Sequence, residues 1–317
     1  MCMKEAIVLL NMGGPNNLSE VEVFLKNMFN DPYILRMKSS LLRRFIATMI
    51  VFFRAEKSQE IYKLIGNKSP LVGYTTSLCN KLQNSLDGVR VDFIMRYTPP
   101  QAMEVLERLK SEGIEHIYAI PLYPQYSTTT TQSSLDDLYD TIHKLKWDVL
   151  VSEIKHFYNS KSYNKTVIEL IKETLSEHKA EDFELIFSAH GLPQKVVDDG
   201  DPYQFHISSH VEIIKNMLAD DGVNFKNISL AYQSKVGPMK WLEPSLDECL
   251  SSIEGKNALI VPIAFCIDNS ETEYELVMEY KEIADELGFK HYLVSRCPND
   301  SDMFVEALKE IYEKMKL

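Results

Sequence analysis

Ile7-Val8-Leu9-Leu10-Asn11-Met12-Gly13-Gly14-Pro15 and Leu185-Ile186-Phe187-Ser188-Ala189-His190-Gly191-Leu192-Pro193 share one pattern, an apolar run ending in glycine and proline. Each reads as a short strand that stops at a turn. The match makes Met12 and His190 equivalent positions in two halves of the chain. A second correspondence joins Ile117-Tyr118-Ala119-Ile120-Pro121-Leu122 to Leu259-Ile260-Val261-Pro262-Ile263-Ala264. The interval from Pro15 to Pro121 is longer than that from Pro193 to Pro262, and the surplus falls on the segment after Asn30, which reads as an insertion.

Around these runs, short apolar stretches alternate with amphipathic ones, the signature of parallel strands joined by crossover helices. Strands are expected at 6–11, 91–97, 117–122, 149–154, 185–189, 228–233, 258–265 and 292–295, and helices include 18–28, 101–111, 161–177 and 271–287. The expected fold class is α/β, with two similar Rossmann-like, doubly wound parallel-sheet domains. The first spans 1–148 with an insertion at about 31–67; the second spans 149–317, its last helix packing on the first domain. Ligands of such sheets bind outside the carboxyl ends of the strands, so the cleft between the halves is the expected site, with Met12, His190 and the loops after Pro121 and Pro262 around it.

Over 317 residues, 45% hydrophobic and 25% charged content is an ordinary globular balance. No long charge-free apolar run occurs, and Met1-Cys2-Met3-Lys4-Glu5-Ala6-Ile7-Val8 leads into a strand rather than a signal peptide, so a cytoplasmic location is expected. Five separated cysteines (Cys2, Cys79, Cys249, Cys266 and Cys297) without a C-x-x-C fit a reducing compartment, with neither disulfides nor an iron–sulfur cluster. A net charge of -12 argues against nucleic acid as the main partner. Between Pro32 and Lys57 the balance reverses locally: Arg36, Lys38, Arg43, Arg44, Arg54 and Lys57 interleave with apolar residues such as Leu41, Phe45, Phe52 and Phe53.

Chemistry is concentrated in two places. His190, at a strand end, can accept a proton or ligate a metal through a neutral nitrogen. In Asp268-Asn269-Ser270-Glu271-Thr272-Glu273-Tyr274-Glu275, Glu271 and Glu275 share one helical face with Asp268 just before it, a set of hard oxygens suited to a hydrated divalent cation. The same residues also suit a helix N-terminus with acidic first-turn residues. His206 and His210, four apart on a helix, read as a solvated face. The run Tyr232-Gln233-Ser234-Lys235-Val236-Gly237-Pro238-Met239-Lys240-Trp241-Leu242 could wall a pocket for a flat apolar ligand. Nucleotide fingerprints and a nucleophile elbow are missing, which sets aside hydride transfer, phosphoryl transfer and serine hydrolysis.

The chain resembles the ferrochelatases along nearly its whole length, through Leu10–Pro15, Gln59-Glu60-Ile61-Tyr62, Ser69-Pro70, Tyr123-Pro124-Gln125-Tyr126-Ser127, Ser188–Pro193, Gly200-Asp201-Pro202-Tyr203, Gln233–Met239 and Pro262–Leu276. The resemblance implies a lyase of haem (porphyrin) biosynthesis that inserts Fe2+ into protoporphyrin IX in a cleft. It implies His190 and Glu271 as the iron-site pair, with Glu275 and Asp268 as an acidic path and Met12 on the opposite face of the macrocycle. By the same resemblance Arg54, Tyr62 and Ser69 contact porphyrin, Arg96, Tyr126 and Trp241 line the cleft, and 32–57 is a lip over which substrate enters from the inner face of the membrane. Iron is then a substrate, and no cofactor is required. Where the family commonly has Asp-His before its glutamate, this chain has Asp268-Asn269, and no cysteine follows Cys297 to serve a cluster-bearing tail. A non-catalytic porphyrin or metal carrier and a cobalt or nickel chelatase of the same fold are the rival readings; coproporphyrin is the rival substrate, and a monomer is expected.

Overall fold

The computed structural model describes residues 4–317 except Val236 and Pro238. Met1, Cys2 and Met3 of the opening Met1–Val8 run, and the two excepted positions in the Tyr232–Leu242 run, lie outside the described residues. Contacts divide the chain into two units, Met1–His156 with Asp300–Leu317, and Phe157–Asn299. The division thus falls at 156 rather than 148, because the fourth strand completes the first sheet.

The first unit comprises β1 (Glu5–Asn11), α1 (Val21–Asn30), α2 (Ser40–Leu64), α3 (Leu71–Asn84), β2 (Val89–Met95), α4 (Ala102–Ser111), β3 (His116–Pro121), α5 (Ser133–Lys144) and β4 (Leu150–Glu153). The second comprises α6 (Lys161–Leu175), β5 (Glu184–His190), α7 (Gln194–Asp198), α8 (Tyr203–Asp220), β6 (Asn227–Gln233), α9 (Leu246–Ser252), β7 (Asn257–Pro262), α10 (Tyr280–Glu286) and β8 (His291–Val294). The last helix, α11 (Asp302–Met315), belongs to the first unit.

Each unit carries one four-stranded parallel sheet, in the order β2-β1-β3-β4 and β6-β5-β7-β8. The central strands are apolar on both faces because helices cover both. Ala6, Val8 and Leu10 meet Val105, Leu106 and Leu109 of α4 and Leu135 and Leu138 of α5. In the second unit Ile186, Ala231 and Ile260 meet Leu246 and Leu250 of α9 and Leu276 and Tyr280. The internal repeat survives at the level of register: Leu10 pairs with Pro121 and its equivalent Ser188 with Pro262. Both repeated motifs are therefore one strand–crossover–strand unit used twice.

Three details depart from the sequence pattern. β7 ends at Pro262, since Ile263 N–H returns to Val261 O at 2.8 Å and Phe265 N–H to Pro262 O at 3.2 Å, turning the chain out of the sheet. The helix expected at 271–287 opens as a π-helix, Glu271–Glu279, before continuing as α10. His210 does not sit on a solvated face: it is fully buried, its Nε2–H donating to Asn164 Oδ1 at 2.7 Å, and burial pushes its pKa down to about 3. Strong apolar neighbours on α6 and α8 outweighed the polar sequence pattern.

The turn after β1 places the first unit's candidate residues. Gly13 has φ +86°, and a Cβ there would lie 2.3 Å from Thr98 Oγ1 and 3.3 Å from the Thr98 amide nitrogen. Gly13→Ala is expected to destabilise the protein by roughly 1–3 kcal/mol, read as a lowered urea midpoint; an unchanged midpoint would mean that the turn relaxes freely.

Candidate active site

His190 is the last residue of β5, in register beside Gln233 of β6. Three contacts fix its backbone and the turn that follows. Tyr203 Oη donates to the His190 carbonyl at 3.0 Å, Gly191 N–H donates to Gln233 O at 2.8 Å, and Pro193 pairs with Trp241 in an antiparallel bridge. Gly191 is required by space: a Cβ there would stand 2.8 Å from Gln233 O and 3.3 Å from the Trp241 ring. The Gly200-Asp201-Pro202-Tyr203 motif acts here at a distance. Asp201 Oδ1 accepts from Tyr203 N–H at 3.0 Å at the start of α8, and the tyrosine so placed holds the histidine.

The imidazole reaches the opening turn of the π-helix. His190 Nδ1 lies 2.7 Å from Glu271 Oε2, with 37% of the imidazole exposed. Donation from Nδ1–H leaves Nε2 as the basic nitrogen. Ser234, just past the end of β6 with φ +67°, ties the carboxylates together: its Oγ–H is shared between Glu275 Oε2 at 2.6 Å and Glu271 Oε2 at 3.1 Å, and its N–H donates to Glu275 Oε1 at 2.8 Å. Gln233 accepts from Ser188 Oγ at 2.7 Å and directs its amide to Glu275 at 3.4 Å. Neither Ser234 nor Gln233 was singled out from the sequence, although both lie in the aromatic, lysine-bearing run that begins at the end of β6.

Electrostatics separate the three groups. Burial disfavours the charged imidazole, but the Glu271 charge, its hydrogen bond and Glu275 outweigh this and hold the His190 pKa above the ordinary histidine value. Burial likewise opposes the Glu271 charge, yet His190 and Ser234 bring its pKa below the usual carboxylate range. Glu275 takes the opposite course: burial and the Glu271 charge push it up to about 7, against the weaker pull of Ser234 and His190. The arrangement is a basic nitrogen, an ionised carboxylate beside it, and a second carboxyl poised to gain or lose a proton near neutrality.

Asp268 does not join them. Its carboxylate is buried, accepting from Asn299 Nδ2 at 2.6 Å and from Cys297 N–H at 3.2 Å, which pins two loops together. Among the described residues, no three His, Cys, Asp or Glu side chains are arranged to hold a metal ion, and of the expected metal residues His190, Glu271, Glu275 and Asp268, the last bonds to Asn299 and Cys297. Asn269 is structural as well: its Oδ1 accepts from Glu271 N–H at 2.8 Å, and its own N–H donates to Thr272 Oγ1 at 3.0 Å, capping the π-helix.

The candidates of the first unit cluster around the end of β1. Met12 packs against the core of α1 and α2, which contains the buried Tyr62. The Arg54 guanidinium sits 5.8 Å from the Phe29 ring centre. Ser69 is buried, its N–H donating to Pro15 O at 2.8 Å. Arg96 is held by Asp31 at 3.2 Å, Asp137 at 3.5 Å and Ser133 Oγ at 3.0 Å, while Tyr126 Oη donates to Gln132 at 2.8 Å. A second π-turn, Thr128–Gln132, precedes α5 as the Glu271–Glu279 turn precedes α10.

A family profile described as Ferrochelatase matches residues 4–316. The chain is 59% identical over 314 residues to a ferrochelatase of Sulfurimonas denitrificans, covering 99% of each protein. It is 49% identical over 311 residues to one of Nitratiruptor, covering 98% of this chain and all of that one, and 47% identical over 315 residues to one of Helicobacter pylori, covering 99% and 94%. Among solved structures, SirB from Bacillus subtilis with Fe3+ superimposes with a TM-score of 0.58 at 13% identity, covering 99% and 96% of the two chains. CbiX, described as the terminal enzyme for biosynthesis of siroheme in denitrifying bacteria, gives 0.52 at 11% identity, covering 97% and 98%. At such identities these two likenesses concern the fold alone.

The raised Glu275 pKa has a measurable consequence. Its stabilising contribution is full below an ordinary carboxyl value of 4.5 and is lost as pH rises through about 7. Glu275→Gln is therefore expected to raise the calorimetric unfolding temperature at pH 8, by a free energy on the order of 2 kcal/mol, with a smaller gain at pH 5. Equal shifts at both pH values would place the Glu275 proton elsewhere.

Proposed function

The chain belongs to the ferrochelatase family, and from that premise we propose that it inserts ferrous iron into protoporphyrin IX, releasing two protons and forming protohaem through His190, Glu271 and Glu275. Metal insertion requires two pyrrole nitrogens to lose protons and the ion to lose its water shell. The observation that supports the reading most directly is the run of contacts His190–Glu271–Ser234–Glu275 at the carboxyl end of the second sheet.

In this mechanism neutral His190 accepts a pyrrole proton at Nε2. Glu271 stabilises the resulting imidazolium through Nδ1–H, which is why the raised His190 pKa favours the transfer. The proton then passes to Glu275, whose pKa of about 7 suits both uptake and release. Ser234 keeps the two carboxylates at a fixed separation. Ferrous iron is handled as a substrate passing these oxygens, and the activity requires no resident cofactor or iron–sulfur cluster. Met12, Arg54, Tyr62, Ser69, Arg96, Tyr126 and Trp241 are assigned to porphyrin contact. The family match over residues 4–316 disfavours a carrier role, and Asn269, the departure from the family's Asp-His pattern, holds the helix that presents Glu271.

Anaerobic absorbance spectroscopy with protoporphyrin and ferrous iron tests this. Wild type is expected to consume the free-base spectrum catalytically, whereas His190→Ala and Glu271→Gln bind porphyrin and lose at least a hundredfold in turnover. Turnover persisting in His190→Ala would remove the base from its assigned place. Zinc and cobalt are expected to be inserted as well, since nitrogen donors do not favour iron over later first-row ions.

We further assign α2 to reversible contact with anionic membrane lipid. Leu41, Phe45, Phe52 and Phe53 are exposed on one helix, Phe52 by 77%, with Arg44, Arg54 and Lys57 also exposed. No helix among the described residues is long and apolar enough to cross a membrane. An amphipathic basic helix of this kind lies in the interface. The protein is expected to float with anionic vesicles at low salt, and Phe45→Ser with Phe52→Ser to abolish this; wild-type protein that fails to float at any lipid charge would exclude the contact.

A further inference from the structure

Two histidines meet at the surface of the second unit, away from the catalytic edge. His178 follows α6 and His291 opens β8; both are exposed, their ring centres 4.7 Å apart and their planes inclined by 53°. Both lie against the buried Phe183 ring, at 5.3 and 5.9 Å between centres. Beside His291, in register on the neighbouring strand, stands Asn257. Its Nδ2 donates to the Asp182 carbonyl at 3.1 Å, which fixes the orientation of the amide. Its Oδ1 is buried and has no hydrogen-bond partner among the described residues. Packing on Phe183 holds the two imidazoles side by side while leaving both accessible.

We propose that His178 and His291 form a surface site for a late first-row divalent cation, copper(II), nickel(II) or zinc. Metal–nitrogen bonds of about 2.0–2.1 Å to two adjacent coordination positions place imidazole centres roughly 4.5–5 Å apart, the separation found here. No third His, Cys, Asp or Glu completes the pair among the described residues, so affinity is that of a two-imidazole clamp and follows the order of the metals. Copper binds best and ferrous iron poorly. The site thereby takes up ions that compete with the enzyme's substrate rather than the substrate itself. It also lies at the opposite end of the same parallel sheet from the carboxylates, because His291 begins its strand and His190 ends one.

Copper(II) titration of the full chain, followed by calorimetry and electron paramagnetic resonance, tests the site. The background is His190→Ala, which removes the catalytic imidazole as a competing ligand. That protein is expected to bind one copper with two nitrogen ligands. Adding His178→Ala or His291→Ala should weaken binding at least tenfold and leave a one-nitrogen spectrum, and His291→Gln should repeat the loss with a polar side chain retained. In the otherwise native chain, the same His178 and His291 changes are expected to leave iron insertion intact, which also verifies folding. Copper affinity unchanged by either substitution, or a single-nitrogen signal before either is made, would overturn the proposal.

Discussion

Two carboxylates on one helix turn share a single hydroxyl, and the remaining chemistry of the site follows from holding two acids so close in a buried place. Ser234 Oγ has one proton for Glu271 and Glu275. In a partly desolvated place two adjacent negative charges cannot both be maintained cheaply. The imidazole decides which one remains charged: Glu271, beside His190, stays ionised, and Glu275 takes the proton. The protein accepts a left-handed backbone at Ser234 to make the arrangement. Asn269 and Tyr203 then hold the helix and the histidine from opposite sides of the network.

The architecture was legible because central strands buried on both faces leave continuous apolar runs, and each of the eight expected strands overlaps a strand among the described residues. The repeat was legible for a related reason. A strand that must end at a sheet edge carrying chemistry needs a turn residue there, so glycine and proline mark both copies. The juxtaposition of His190 and Glu271 was accessible only through resemblance, since no local pattern links the end of one strand to the helix that follows another. Asp268 shows the limit of counting charges: three acids in a row suggest one cluster, but backbone geometry turned the first toward Asn299 and Cys297. Ser234 escaped notice because a serine after a strand has many uses, and only the approach of the π-helix gives this one its partners.

The two copies of the motif have diverged in charge while keeping their geometry. Where the second sheet ends in an imidazole, the first ends in the thioether of Met12, packed on an apolar core. The first unit's charges are instead invested in rigidity. Asp31, at the root of the insertion, is almost fully buried and receives Tyr97 Oη at 2.9 Å together with Ser133 and Arg96. That anchoring lets α2 carry large exposed apolar side chains without its base being free to shift, so the surface they form has a fixed shape.

The path of the chain imposes an order on its assembly. The polypeptide leaves the first unit at His156 and re-enters it at Asp300. There α11 buries Phe304, Leu308, Ile311 and Tyr312, and Tyr312 Oη reaches back to Glu5, in the first strand, at 2.6 Å. During vectorial synthesis the later unit, being continuous, has all of its segments available first, while the earlier one must wait for the last helix to emerge. The amino-terminal unit is thus the last to gain its full set of segments, and its apolar face for α11 stays uncovered until that helix is free to pack.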